Sequence, residues 1–255
     1  MTNWEKLIAE YNDMRYFATD PVAVVKRCKE QRDIEVMGIV CSWLAYGNRN
    51  QIYKKCCMAY DLMSAKPYDY VMSGQWREYK DSDKNFYRLF FYRDFHDLMQ
   101  SLYLVYQQHT TLEEAVLHSP SFLLNSQFSI LNSLISLFCV NGIPQNTKSA
   151  CKRLCLFLRW MVRRDGIVDL GVWTKFSPAD LLIPLDVHVN RVAHQHGLLT
   201  RTSADMRAVL ELTQKCKELF PHDPTIMDFA LFGAGYTSKG YPKKPRESSD
   251  SRGFF

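Results

Sequence analysis

Apolar residues recur at three- and four-residue steps along nearly all of this 255-residue chain, and no segment shows the sustained alternation of a half-buried strand. Ile34, Met37, Gly38, Cys41 and Leu44-Ala45 form one such stripe, Leu98, Leu102 and Val105 another, and Leu123, Ile130, Leu134 and Leu137 a third. That period lays each set along one helix face, and helices with an apolar face must bury it against one another. Turn signals divide the pattern at Asp20-Pro21, Tyr46-Gly47-Asn48, Lys66-Pro67, Ser119-Pro120, Asn141-Gly142-Ile143-Pro144, Ser177-Pro178, His196-Gly197 and between Phe220-Pro221 and Pro224. The intervals predict about a dozen helices of ordinary length. With 47% hydrophobic residues, the chain fills one or two cores without staples. The expectation is a single all-α domain over residues 1–238, a two-lobed helical bundle, followed by a mobile Lys-, Pro-, Ser- and Gly-rich tail at 239–255.

Composition excludes several classes. The eight cysteines are scattered, mostly inside apolar helical patterns, and read as reduced, buried thiols. None has zinc-finger spacing to histidines, and no cluster of four closes the chain, so neither a structural metal nor an iron–sulfur centre is expected. His188, His194 and His196 are spaced wrongly for one helix face, which also argues against a metal. The N-terminus lacks a basic region followed by an apolar run, and no apolar stretch reaches membrane-spanning length. A cytoplasmic protein with no membrane partner and no cofactor follows. The net charge of +5 is compatible with a polyanionic partner without demanding one.

Chemistry concentrates in Leu182-Ile183-Pro184-Leu185-Asp186-Val187-His188-Val189-Asn190-Arg191-Val192. Pro184 favours an extended residue before it, and Asp186 is placed to cap a helix that turns Val189, Val192 and Ala193 inward. Capping alone would favour an aspartate there, so the carboxylate is aimed whether or not it reacts. Upstream, Thr147 to Val162 reads as a helix with Lys152 within its first turn or so. A cation there opposes the helix dipole by a few tenths of a kcal/mol, which favours the neutral amine and suits a nucleophile. Lys148 is the competing amine. His188 is expected to orient Asp186 or to pack beside it.

A Gly/Pro turn between helices, a lysine, then Pro-Leu-Asp-Val-His opening a further helix resembles the helix-hairpin-helix DNA glycosylase superfamily, and most nearly its archaeal 8-oxoguanine glycosylase branch. Lys152 and Leu185-Asp186-Val187-His188 carry that likeness. It implies a base-excision glycosylase with lyase activity, acting as a monomer on double-stranded DNA with a damaged base, an oxidised purine such as 8-oxoguanine. Lys152 would be the nucleophile, Asp186 its partner, and the hairpin region would span about 128–196. The superfamily's Leu-Pro-Gly-Val-Gly phosphate clamp is replaced here by Asn141-Gly142-Ile143-Pro144-Gln145-Asn146. The likeness further implies that the turn Tyr46 to Gln51 fills the gap left by an extruded base, with Tyr46 as wedge and Arg49 or Gln51 reading the orphaned partner. Asn48, Asn146 and Arg153 join the expected DNA contacts, Lys148, Arg163 and Arg164 add charge near the groove, and Trp160, Phe229 and Phe232, core residues first by their helical spacing, are the candidates for the base pocket. A rival reading keeps nucleic-acid binding and drops the reaction; another makes the histidines a hydrolase metal site. The whole chain also resembles the uncharacterised bacterial family DUF2400 through Trp43 to Arg49, Phe157 to Arg163 and Asp228 to Gly233.

Overall fold

The computed structural model describes residues 3–123 and 128–237, so the tail expected at 239–255 lies outside the described residues. Among the described residues thirteen α-helices dominate: α1 (Asn3–Tyr11), α2 (Pro21–Val25), α3 (Gln31–Leu44), α4 (Arg49–Leu62), α5 (Pro67–Ser73), α6 (Tyr92–Gln108), α7 (Leu112–Leu117), α8 (Pro120–Leu123), α9 (Ser129–Leu137), α10 (Lys152–Val162), α11 (Val187–Gln195), α12 (Met206–Leu219) and α13 (Met227–Thr237). Their starts follow the local chemistry. Asp20 accepts from Val22 N at 3.2 Å ahead of Pro21, and Thr111 accepts from Glu114 N at 3.1 Å. Each such cap satisfies a donor that the first helical turn leaves unpaired.

Helix α3 is the axis. Every residue from Ile34 to Leu44 is buried, and the helix packs against α2, α4, α5 and α10. A Cβ at Gly38 would meet Met161 Cε at 2.9 Å and Phe157 Cε2 at 3.0 Å, so the glycine permits the close approach of α3 to α10. The one carboxylate in this stretch, Glu35, is fully buried, and among the described residues no cation pairs with it. It accepts hydrogen bonds from Leu112 N (2.8 Å), Glu113 N (3.2 Å), Trp173 Nε1 (2.8 Å), Tyr106 Oη (3.0 Å) and Gln31 Nε2 (3.2 Å). Burial still pushes its pKa up. Glu35 thereby nails the start of α7 and the loop around Trp173 onto α3. At the other end, α13 packs on α1 and α11. One continuous cluster of buried side chains runs from Ile8 to Leu231, so the elements expected as two lobes share a core.

The structure departs from the sequence reading at three places. Residues Asn85–Tyr87 and Phe90–Phe91 form a small antiparallel hairpin, β1 and β2, with Asn85 opposite Phe91 and Tyr87 opposite Phe90. Its aromatic side chains pack inward, Phe86 stacked on Phe95 and Phe90 on Trp43. Helix α10 begins at Lys152, not Thr147: Ser149 bridges to Asp205, and Cys151 takes φ 47°, which together end any helical run before residue 152. The connection from Phe138 to Cys151 is correspondingly an irregular excursion rather than a tight hairpin. All eight cysteines are free, but Cys139 is exposed and Cys57 half-buried. No described helix is long and apolar enough to cross a membrane.

Candidate active site

Pro184 and Leu185 follow the buried Ile183, whose N–H donates to Thr213 Oγ1 at 3.1 Å, so the chain enters α11 from a fixed point. Asp186 caps that helix with one oxygen: Oδ1 accepts from His188 N and Val189 N, both at 2.8 Å. The other oxygen, Oδ2, lies 3.4 Å from Lys152 Nζ, and the two side chains are 34% and 29% exposed. Capping and ion pairing are thus divided between the two oxygens of one carboxylate. The Lys152 amine stands on the first residue of α10, where its cationic form faces the positive helix end.

Both side chains open into a hollow of about 590 Å³, a size within the usual range for small-molecule pockets. Two of its walls are each one helix face. On α10, Lys152, Leu156 and Arg159 follow the i, i+4, i+7 row, and on α13 Asp228, Leu231, Phe232 and Gly235 do the same at i, i+3, i+4, i+7. Asp20, Asn48, Arg49, His188 and Arg191 complete the polar lining, and Phe17, Phe229 and Phe232 supply aromatic surface.

Beneath the pair lies a set of buried charges. Arg159 Nε contacts Asp169 Oδ1 at 3.2 Å and its Nη1 binds Asp228 Oδ2. Arg163 contacts Asp169 at 2.5 Å, Asp223 at 2.7 Å and Asp165 at 2.9 Å. Burial works against the charge of both arginines, but the carboxylates outweigh it and hold them above their ordinary pKa. Burial pushes Asp169 up as well. It raises Asp228 to about 6; nearby Asp186 and Asp169 act in the same direction, while Arg159 and Lys152 oppose it. A carboxylate poised near neutrality therefore sits within electrostatic reach of the Lys152–Asp186 pair.

The hollow gathers Lys152, Asp186, His188, Asn48, Arg49, Phe229 and Phe232 of the residues expected from sequence. His188 acts on Asp186 through its main-chain N–H, its ring being exposed. Asn48 caps α4, accepting from Asn50 N at 3.0 Å and Gln51 N at 3.2 Å. Arg49 lines the wall with its Nη2 on Tyr16 O at 2.5 Å and its Nε 3.2 Å from Asp20. Tyr46 lies just outside, 48% exposed. Gln51, Asn146 and Lys148 are exposed and do not line the hollow, and Asn146 accepts from Lys148 N in a local turn.

Three expectations are corrected. Trp160 is fully buried in the core, because α10 turns its neighbour Arg159 to the hollow instead. Arg153 donates to Trp43 O at 2.9 Å and lies over Phe90, a packed position whose burial lowers its pKa. Arg163 is committed to the buried aspartates and adds no surface charge. Sequence reasoning missed Asp228, Asp20 and Arg191. It also missed the β1–β2 tip beside Tyr46, where Arg88 lies over the Tyr46 ring at 5.1 Å and Leu89 is 67% exposed.

A family model described as "Protein of unknown function (DUF2400)" matches residues 20–237. Neither the curated proteins nor the solved structures give a match. The DUF2400 likeness is thereby shown over residues 20–237, and the comparisons lend no support to the helix-hairpin-helix affiliation.

Proposed function

We propose, for a chain that belongs to the DUF2400 family, that the hollow excises a damaged base from duplex DNA and then cleaves the strand at the emptied sugar. The helix-hairpin-helix type of fold and an oxidised purine as substrate are part of the same proposal. The observation that carries it is the meeting of Lys152 Nζ and Asp186 Oδ2 at 3.4 Å, solvent-reachable, on the wall of a hollow with aromatic lining. An amine beside a carboxylate, open to a base-sized space, is the minimum that glycosidic cleavage through a covalent intermediate requires.

The steps balance without a metal. A base turned out of the stack enters against Phe232 and Phe229. The neutral Lys152 amine forms a bond to C1′ as the C1′–N bond breaks, and the base departs with the bonding pair. Asp228, poised near neutrality, holds the proton that the base takes up. Asp186 offsets the positive charge developing on the sugar and receives the amine's proton. Asp186 returns that proton to the ring oxygen O4′ as the C1′–O4′ bond breaks, which opens the sugar and leaves a protonated Schiff base on Lys152. The Asp186 carboxylate, free again, then takes a C2′ proton, and the 3′ phosphate leaves with the C3′–O pair. Tyr46 and Leu89, both exposed beside the mouth, are the apolar groups suited to filling the space vacated by the base.

The test is borohydride trapping on a panel of lesion-bearing duplexes that includes 8-oxoguanine. A covalent complex with the wild type, lost in Lys152→Met while duplex binding remains, is the expected result. Trapping that survives in Lys152→Met moves the nucleophile elsewhere and overturns the assignment. Salt-dependent binding with no base release across the panel replaces it with a non-catalytic DNA-binding role.

A further inference from the structure

We propose that His109, Glu114 and His118 form a site for a divalent first-row transition metal ion, with Zn²⁺ as the fitting cation. The imidazole nitrogens and carboxylate oxygen lie within 4.8 Å of one another. None of the three lines the Lys152–Asp186 hollow, so the site is separate from the proposed chemistry and stands or falls without it.

The two imidazoles come from opposite ends of α7. His109 closes α6 in an extended conformation just before α7, and His118 caps the end of α7. Glu114 and His118 are four residues apart, one turn along the same face. The imidazole rings are 5.7 Å apart between centroids. Two imidazoles and a carboxylate are a donor set that zinc takes readily, with water as the fourth ligand of a tetrahedron, and the exposure of His118 leaves room for that water.

The ligands are also held. Thr110 N donates to Glu114 Oε2 at 2.7 Å, the kind of outer-shell bond that orients a coordinating carboxylate. Leu112, Ala115 and Val116 bury the opposite face of α7, and Leu112 N and Glu113 N are fixed to the buried Glu35. The helix presenting two of the three ligands is therefore anchored to the central helix of the fold, so an ion binding there meets a platform already in place.

Calorimetric titration of the chelator-stripped full chain with ZnCl₂ tests this directly. One saturable equivalent is expected, and Co²⁺ in its place should give the visible bands of a tetrahedral site. His109→Ala and His118→Ala should each weaken binding by at least about 100-fold, the upper end of what loss of an outer-shell partner costs. Glu114→Gln, which keeps an oxygen for Thr110, should weaken it less. Circular dichroism checks that each variant folds, and His118→Ala at an exposed position decides the matter if His109→Ala does not fold. Absence of saturable binding in the folded wild type overturns the proposal. So does undiminished binding in the doubly substituted protein, which would place the ion on cysteines such as the exposed Cys139.

Discussion

Helix α10 carries two kinds of charge pairing within three turns. At its start, Lys152 and Asp186 meet at 3.4 Å with about a third of each side chain exposed. Toward its end, Arg159 and Arg163 are only 4% and 3% exposed and share Asp165, Asp169, Asp223 and Asp228 between them. A partly solvated single pair contributes roughly 0–1 kcal/mol to stability, whereas removing one partner of a buried pair costs about 3–5 kcal/mol. Stability is thus lodged in the buried set, which ties α10 to the loop before Trp173 and to α13. The exposed pair is held in place for little energetic return, which leaves it available for chemistry. Substitutions in the two regions should separate folding from activity.

The largest effect belongs to Arg163→Met. It strips Asp223 and Asp165 of the cation they share, leaves Asp169 with Arg159 alone, and should lower unfolding free energy by about 3–5 kcal/mol in a urea titration near neutral pH. Part of the loss should return as pH falls, because the orphaned carboxylates can then take up protons. A loss under about 1 kcal/mol would erase the contrast between the two ends of α10.

This contrast was only half legible in the sequence. Asp186 was readable because proline, capping chemistry and inward apolar positions all act within a few residues of it. Asp228 was not: an acid in the first turn of a helix is favoured by the dipole alone, and its partner Arg159 lies 69 residues away. Glu35 hid for the same reason, since its five donors come from α3, α6, α7 and the Trp173 loop. Trp160 and Arg159 exchanged roles because adjacent helical positions differ by about 100° in direction, and the 157–161 stripe does not say which one faces the hollow. The β1–β2 hairpin escaped because strands of three and two residues are too short to show a period. The start of helix α10 is not legible locally because the Ser149–Asp205 bridge ahead of it is tertiary.

Asp228 joins the two regions and gives the next effect. Its folded pKa of about 6 lies above the ordinary 3.8, so between those values the folded chain keeps a proton that the unfolded chain has released. Stability from this group is therefore present below about pH 4 and falls as pH rises through about 6, by up to roughly 3 kcal/mol. Asp228→Asn should remove that slope when unfolding free energies of variant and wild type are compared from pH 4 to 7. Because Lys152 opposes the upward shift, Lys152→Met should move the midpoint higher. A midpoint indifferent to Lys152 would mean that the buried set and the exposed pair do not communicate.

The smallest effect is the sharpest. Asp186→Asn keeps an oxygen where Oδ1 caps α11 and discards only the charge opposite Lys152, and asparagine caps about as well as aspartate. It should cost under about 1 kcal/mol, the range of a partly exposed ion pair. Asp186→Ala discards cap and charge together and should cost about 1 kcal/mol more than the asparagine variant. If the carboxylate serves the sugar cation, both variants lose borohydride trapping alike while only alanine measurably lowers the melting temperature. Trapping retained in the asparagine variant would leave Asp186 as a helix cap and nothing else. Equal destabilisation by both would make the charge itself structural, and the division of labour between its two oxygens would be lost.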